Sequence, residues 1–276
     1  MSHSGLSERI GFLRRRLAAL EARDAPARPV VATAGAPLFA AARTGLSEIF
    51  PARPPDAPAA AAFALSLALQ ARAARGGGAL VCIVEDFCAR EFGLPYGRGL
   101  AQAGLDLSRF ALIRVRRPRE TLWAMEEALK SPACAAVVAE TLLTPRLYGL
   151  AASRRLLLAA RRGGGLGVLA ALGPQAGGFS SAADLRVEVA AAAPDPPAGA
   201  RASAARSPPL SPLAPFRWRL RLAKARAGQW GEIDPALWRD IVFDPEEAKF
   251  DHAFPERFPA EARDRPAAAP PQRRRA

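Results

Sequence analysis

Lysine is almost missing from this chain: of 39 basic residues only Lys130, Lys224 and Lys249 are lysines, so arginine carries the formal charge of +13. Histidine is as scarce. His3 and His252 lie in the two end regions, which leaves no candidate general base or imidazole ligand in the body of the sequence. The cysteines, Cys82, Cys88 and Cys134, are odd in number and form no CxxC pair. That excludes a disulfide framework and a zinc site, and it fits a reducing cytosol. Aromatic residues make up only 7%. No charged-then-apolar signal opens the chain, and the longest apolar run, "APAAAAFALSLAL", is expected to be too short to cross a bilayer. A soluble, cytoplasmic protein with no membrane partner is expected.

What is present is alanine-rich and strongly basic. Half of the 276 residues are apolar, enough for one large or two small domains with a sizeable core. A pI near 11.1 predicts attraction to polyanions such as nucleic acid. An arginine bias also accompanies a GC-rich genome, so charge alone does not establish DNA binding.

Residues 6–23 place Ile10, Leu13, Leu17 and Leu20 on one face, which gives an N-terminal helix over 1–23. A Pro/Ala/Gly linker, 24–44, follows. Then apolar strands alternate with helices. "LSEIF" precedes a helix over 58–74 that "GGG" at 76–78 stops, and "ALVCIVEDF" is a buried strand. "YGRGLAQAGLD" is helical, "FALIRV" a strand, and "RPRETLWAMEEALKS" a helix with Pro118 in its first turn. "CAAVVAE" is a strand, and the next helix is expected to open with Thr144 as its N-cap. "LGVLAAL" is the fifth strand. This order predicts an α/β fold with a mostly parallel central sheet flanked by helices, and antiparallel edge strands near the C-terminus. "LRVEVA" and "FRWRLRLAKAR" supply the latter, the second placing Arg217, Arg219 and Arg221 opposite Phe216, Trp218, Leu220 and Leu222. The folded domain is expected over 45–243, with a mobile low-complexity loop at 191–215 and a disordered Pro-rich basic tail at 244–276.

Ligands of parallel sheets sit beyond the C-terminal ends of the strands, where Glu85, Asp86 and Glu140 fall. Those acids are also what helix caps or arginine partners require. No Ser/His/Asp or Cys/His arrangement occurs. The arginines Arg217, Arg219 and Arg221, with Arg201 and Arg206 in the preceding loop, are candidates for nucleic-acid contact. Their strand run is about 13 Å long at roughly 3.3 Å per residue, on the scale of a run of phosphates. The alternative is an edge strand guarded by charge. Stacking aromatics are scarce there, which favours phosphate attraction over base recognition.

The segments "GLSEIF" and "YGRGLAQAGLDLSRFALIRVRRPRETLWAMEEALKSPACAAVVAE" resemble the central domain of RecA-like recombinases. More closely they resemble the ImuA family, inducible mutagenesis proteins of bacterial damage-response operons. "FSSAADLRVEV" and "FRWRLRLAKARAGQWGEI" are similar to later segments of that family, so the likeness runs over about residues 40–243. The resemblance implies a RecA-like frame with a phosphate loop after the first strand. In register from Glu48, "EIFPARPPDAPA" has Pro51 and Asp56 at the two glycine positions. Ala57 replaces the lysine, and Pro58 the Ser/Thr. A phosphate loop needs glycines to wrap N–H groups around the phosphates, a lysine for the terminal ones and a hydroxyl for Mg²⁺. Prolines delete such donors. The resemblance puts Glu140 where the metal-holding acid would be, and Glu85 or Asp86 near the water-activating one. A vestigial nucleotide site without catalysis is expected, with no cofactor, ATP and Mg²⁺ included.

The resemblance further implies a non-catalytic accessory or scaffold protein of SOS-induced mutagenic translesion synthesis, assembling a polymerase complex at damaged DNA. Its implied partners are the polymerase-like ImuB and an error-prone replicative-type DNA polymerase subunit, with the RecA filament and single-stranded DNA as further candidates. Two alternatives stay open. One is a DNA-stimulated ATPase in which Arg53 or Arg43 replaces the lysine; the other is a SulA-type cell-division inhibitor.

Overall fold

The computed structural model describes residues 39, 42–102, 105–173, 180–192, 216–225, 238–244 and 247–252. The expected N-terminal helix, almost all of the expected linker and of the 191–215 loop, Arg201, Arg206 and the tail beyond 252 lie outside the described residues.

Nine strands form one mixed sheet in the order β3-β2-β4-β5-β1-β6-β7-β8-β9. They are β1 (Gly45–Pro51), β2 (Ala79–Glu85), β3 (Phe110–Val115), β4 (Cys134–Thr141), β5 (Leu166–Ala171), β6 (Leu185–Ala191), β7 (Phe216–Ala225), β8 (Arg239–Asp244) and β9 (Lys249–His252). The pairings among β1 to β6 are parallel, and those of β6 with β7, β7 with β8 and β8 with β9 are antiparallel. The α/β class, the parallel core and the antiparallel C-terminal strands are as expected. β2, β4 and β5 are buried along their whole length, which is why they read as unbroken apolar runs.

Five helices are described: α1 (Ala57–Ala74), α2 (Asp86–Glu91), α3 (Gly97–Gln102), α4 (Pro118–Leu129) and α5 (Leu150–Gly163). On one face α1 lays Ala57, Ala60, Ala64 and Ala68 into a core with Ile49, Cys82, Val138 and Val168. Alanines let the helix axis lie close to the sheet. On the other face α4 and α5 bury Met125, Leu129, Leu156 and Ala160 against Val81, Val137 and Leu169. α1 ends into Gly76, Gly77 and Gly78, all at positive φ, where a Cβ on Gly78 would meet that of Ala135 at 3.0 Å.

Several expectations are corrected. α5 starts at Leu150 behind an extended Gly149, and Thr144 caps nothing; its carbonyl instead closes the preceding turn by accepting from Leu147 and Tyr148 N–H. β7 is no edge strand, since β8 and β9 lie beyond it. β9 stands inside the segment expected to be disordered, and the reason is Phe250, 1% exposed, whose ring lies 5.3 Å from Phe39, 5.2 Å from Phe63 and 4.8 Å from Phe243. Phe39, from the expected linker, is likewise buried in this aromatic cluster. Finally, Pro54–Ala74 is a 21-residue helical stretch long and apolar enough to cross a membrane by length and composition, contrary to expectation. Its apolarity has another use here, since over half of that stretch is buried inside the fold.

Candidate functional site at the end of the first strand

β1 delivers the chain to a short loop, a single 3₁₀ turn at Pro54–Asp56, and then α1. In a phosphate loop the backbone N–H groups at this junction face the ligand. Here three of them are spent inside the protein. Ala52 N–H donates to Val189 O at 2.8 Å, Asp56 N–H to Arg53 O at 2.9 Å, and Ala57 N–H to Pro54 O. Pro51, Pro54, Pro55 and Pro58 have no N–H to offer.

Asp56 completes the closure. Its carboxylate, 2% exposed, accepts from Arg53 Nε at 3.1 Å and from Ala191 N–H at 3.1 Å. Burial by itself pushes its pKa up, but the Arg53 hydrogen bond and charge and the Ala191 N–H outweigh this, and the group lies below the usual carboxylate value. A buried anion from the chain itself therefore sits at the N-terminus of an 18-residue helix, where the helix dipole favours negative charge. Arg53, the candidate substitute for the missing lysine, pairs with that carboxylate through Nε while most of its side chain is exposed.

The strand-end acids are not brought together as one centre. Glu85 Oε2 accepts from Thr141 Oγ1 at 2.6 Å and Leu142 N–H at 2.9 Å, tying the end of β2 to that of β4. Asp86 pairs with Arg114 at 2.8 Å, joining α2 to β3. Glu140, 5% exposed, shares the strand alternation of Ala136 and Val138, which face α1. No hydrogen-bond or ion-pair partner of Glu140 occurs among the described residues, and burial raises its pKa to about 7. Burial, then the charges of Glu85 and Glu140, pushes the Cys88 thiol up to about 12. Among the described residues no group of three or more His, Cys, Asp or Glu side chains is placed to hold a metal ion.

One buried polar centre escaped the sequence reading. Glu48, wholly buried in β1, accepts from Tyr148 Oη at 2.5 Å and from the Ser181 hydroxyl. Arg186 Nε of β6 lies 2.9 Å from Glu48 Oε2, close but angled away from a linear hydrogen bond, and its guanidinium stands 4.9 Å over the Phe50 ring. Burial, then the charge and hydrogen bond of Glu48, pushes the Tyr148 phenol well up. The network pins the 180–184 segment against β1, where Asp184 N–H donates to Leu46 O at 2.9 Å, with Ser153 Oγ accepting from Ala182 N–H at 2.9 Å. The signal was a lone acid in a strand with no exposed residue on either side of it, because a buried carboxylate demands partners.

Of the candidate nucleic-acid contacts, Arg217, Arg219 and Arg221 lie along β7. Arg221 bonds Glu188 Oε2 through Nε at 2.9 Å and Nη2 at 2.5 Å, and Arg219 Nε lies 3.5 Å from Asp240. The scarcity of aromatics on this face is also corrected: Trp238 lies under both guanidinium groups, 5.3 Å from Arg221 and 6.0 Å from Arg219.

No family model matches the chain. Among the solved structures that align is that of SulA from Pseudomonas aeruginosa, at 20% identity and a TM-score of 0.33 over 46% of this chain and 96% of that one. The chain is 34% identical over 165 residues to Protein ImuA of Caulobacter vibrioides, in two strains, a match covering 57% of this chain. It spans 59% of the length of those relatives. Over the matched residues the chain is thus similar to Protein ImuA, as the segments quoted from its sequence implied.

Proposed function

We propose that this protein is a non-catalytic accessory factor of damage-induced mutagenesis, holding a translesion polymerase complex together rather than turning over nucleotide. The observation that carries the non-catalytic half is the loop Pro51–Pro58, whose Ala52, Asp56 and Ala57 donors are bonded within the chain and whose helix N-terminus is occupied by the Asp56 carboxylate. The similarity to Protein ImuA supports the mutagenic setting. The partners proposed are the polymerase-like ImuB and an error-prone replicative-type polymerase subunit, with the RecA filament as a third. Binding would be by surface contact, with no chemistry at the strand ends.

The test is a tagged pull-down from DNA-damaged cells, nuclease-treated, with bound proteins identified by mass spectrometry. Recovery of the polymerase-like partner supports the reading; recovery of the division machinery alone would sink it. The tail deletion used to map the contact has to start at residue 253, because one starting at 244 also removes β9 and the buried Phe250. In parallel, titration with ATP and Mg²⁺ to millimolar concentration is expected to show no binding, and saturable binding would revive the ATPase alternative.

A further inference from the structure

Among the described residues the helices cover the two faces of the sheet unequally. The main contacts of α4 and α5 are with β1 to β5, whereas those of α1 extend to β6 on the opposite face. Among the described residues no helix contact comparable to that of α1 with β6 reaches the α5-side face of β6, β7 and β8. Strand register fixes what that face presents. Glu188 of β6 is opposite Arg221 of β7, and the same register carried one step past β8 sets Trp238 opposite Arg221. In the next row Ala190, Arg219 and Asp240 lie side by side, and in the third Arg217 lies beside Val242. Arg217, Arg219 and Arg221 therefore share one face at two-residue intervals, about 6.5–7 Å apart.

We propose that this face of β6, β7 and β8 is a binding surface for single-stranded nucleic acid, with the strand's phosphates along the β7 arginines and a base stacked on Trp238. Three features support that occupant. The cations are all guanidinium groups in a straight row, and guanidinium is the side chain suited to bidentate phosphate contact. Their present partners hold them unequally. Arg221 is fixed by two bonds to Glu188, which sets its plane against the Trp238 ring, whereas Arg219 and Asp240 are 56% and 49% exposed at 3.5 Å. An exposed pair of that kind contributes little and is readily exchanged for a phosphate. The third feature is shape. Ala190 leaves a low place beside Arg219, and an aromatic flanked by cations is how sequence-tolerant single-strand binders hold a base. A duplex offers no unstacked base to Trp238.

This inference does not depend on the polymerase-assembly reading. The full chain would be titrated against a fluorescein-labelled oligo-dT of about 20 nucleotides, with anisotropy followed from low to physiological salt. The double variant Arg217→Ala/Arg219→Ala is expected to weaken binding at least tenfold and to lower the slope of log K against log salt by about 1.4, two contacts at roughly 0.7 each. Trp238→Ala is expected to cost about tenfold with little change of slope, because stacking is not screened by salt. Arg154→Ala/Arg162→Ala, at two exposed arginines of α5, serves as the charge-matched control and is expected to leave both unchanged. Equal losses in the control and the double variant would reduce the effect to overall charge and overturn the proposal, as would unaltered binding in the double variant or equal affinity for duplex DNA. Circular dichroism of each variant separates lost binding from lost folding. A polymerase partner still recovered in the nuclease-treated pull-down would show that failure here leaves the assembly reading standing.

Discussion

Arg53 Nε lies 3.1 Å from Asp56 Oδ2, one side chain largely exposed and the other almost wholly buried. The pair lies where the chain leaves β1 for α1, and it supplies the helix N-terminus with an anion from within the chain. Substituting Asp56 by Ala removes the acceptor of both Ala191 N–H and Arg53. A loss of about 1–3 kcal/mol in denaturant unfolding is expected, the cost of stranding a buried donor. Asp56→Asn, which keeps a carbonyl oxygen for Ala191, should lose less. Its share of stability is present above the unfolded carboxylate pKa and fades as pH falls below it, because its folded pKa is depressed.

The Glu48 network makes a sharper prediction because it is deeper. Glu48→Ala leaves the Arg186 guanidinium, 13% exposed, without its carboxylate, and a loss of about 3–5 kcal/mol is expected. Tyr148→Phe deletes only one hydroxyl donor to that carboxylate, at about 1.5–3 kcal/mol. Denaturant midpoints of the two variants would check the order. A Tyr148→Phe loss exceeding that of Glu48→Ala would mean that the charge is satisfied some other way.

Much of this arrangement was legible in the sequence, and the parts that were not share a cause. The parallel strands are doubly buried, so their apolar runs announce them; the stop at Gly76–Gly78 and the Pro118 start are local signals too. β8 and β9 are not local in that sense. "RDIVFD" and "KFDH" are short and half polar, and they become strands because Ile241, Phe243 and Phe250 join an aromatic cluster with Phe39, Phe63 and Trp218 that is assembled from both ends of the described chain. The same holds for the sites. The proline-rich junction Pro51–Pro58, without glycine, lysine or a hydroxyl, was readable because it is contiguous. The bond from Tyr148 to Glu48 spans 100 residues, and Trp238 meets Arg221 only through the β7–β8 register. Thr144 failed as a cap because Gly149 offers the extended backbone from which α5 starts.

Glu140 gives the fold an unusual pH response. Its pKa rises from 4.5 in the unfolded chain to about 7 in the fold, through burial. Between those values the folded state holds a proton that the unfolded state has lost, so stability falls as pH rises through the window. The difference is on the order of 3 kcal/mol. Glu140→Gln, neutral at every pH, should flatten this part of the stability profile and raise the denaturant midpoint at pH 8 above that of the unsubstituted protein. An unchanged profile between pH 4.5 and pH 7 would show that the carboxylate is ionised in the fold, with water or a cation as its partner.

The last described strand, β9, is anchored by one side chain. Phe250 is buried to 1% exposure on a strand of only four residues, and its ring contacts reach Phe39, Phe63, Trp218 and Phe243. Four residues of edge pairing contribute little by themselves, so β9 is held by its aromatic anchor more than by its ladder. Phe250→Ala should therefore cost about 3–5 kcal/mol and release the edge of the sheet. Removal of residues 253–276 leaves every one of those ring contacts in place and should leave the melting temperature close to that of the full chain. Limited proteolysis adds the discriminating readout. In the full chain cleavage should spare residues 247–252, whereas in Phe250→Ala a new cut is expected between β8 and β9, since an edge strand without its anchor opens locally before the rest of the sheet unfolds.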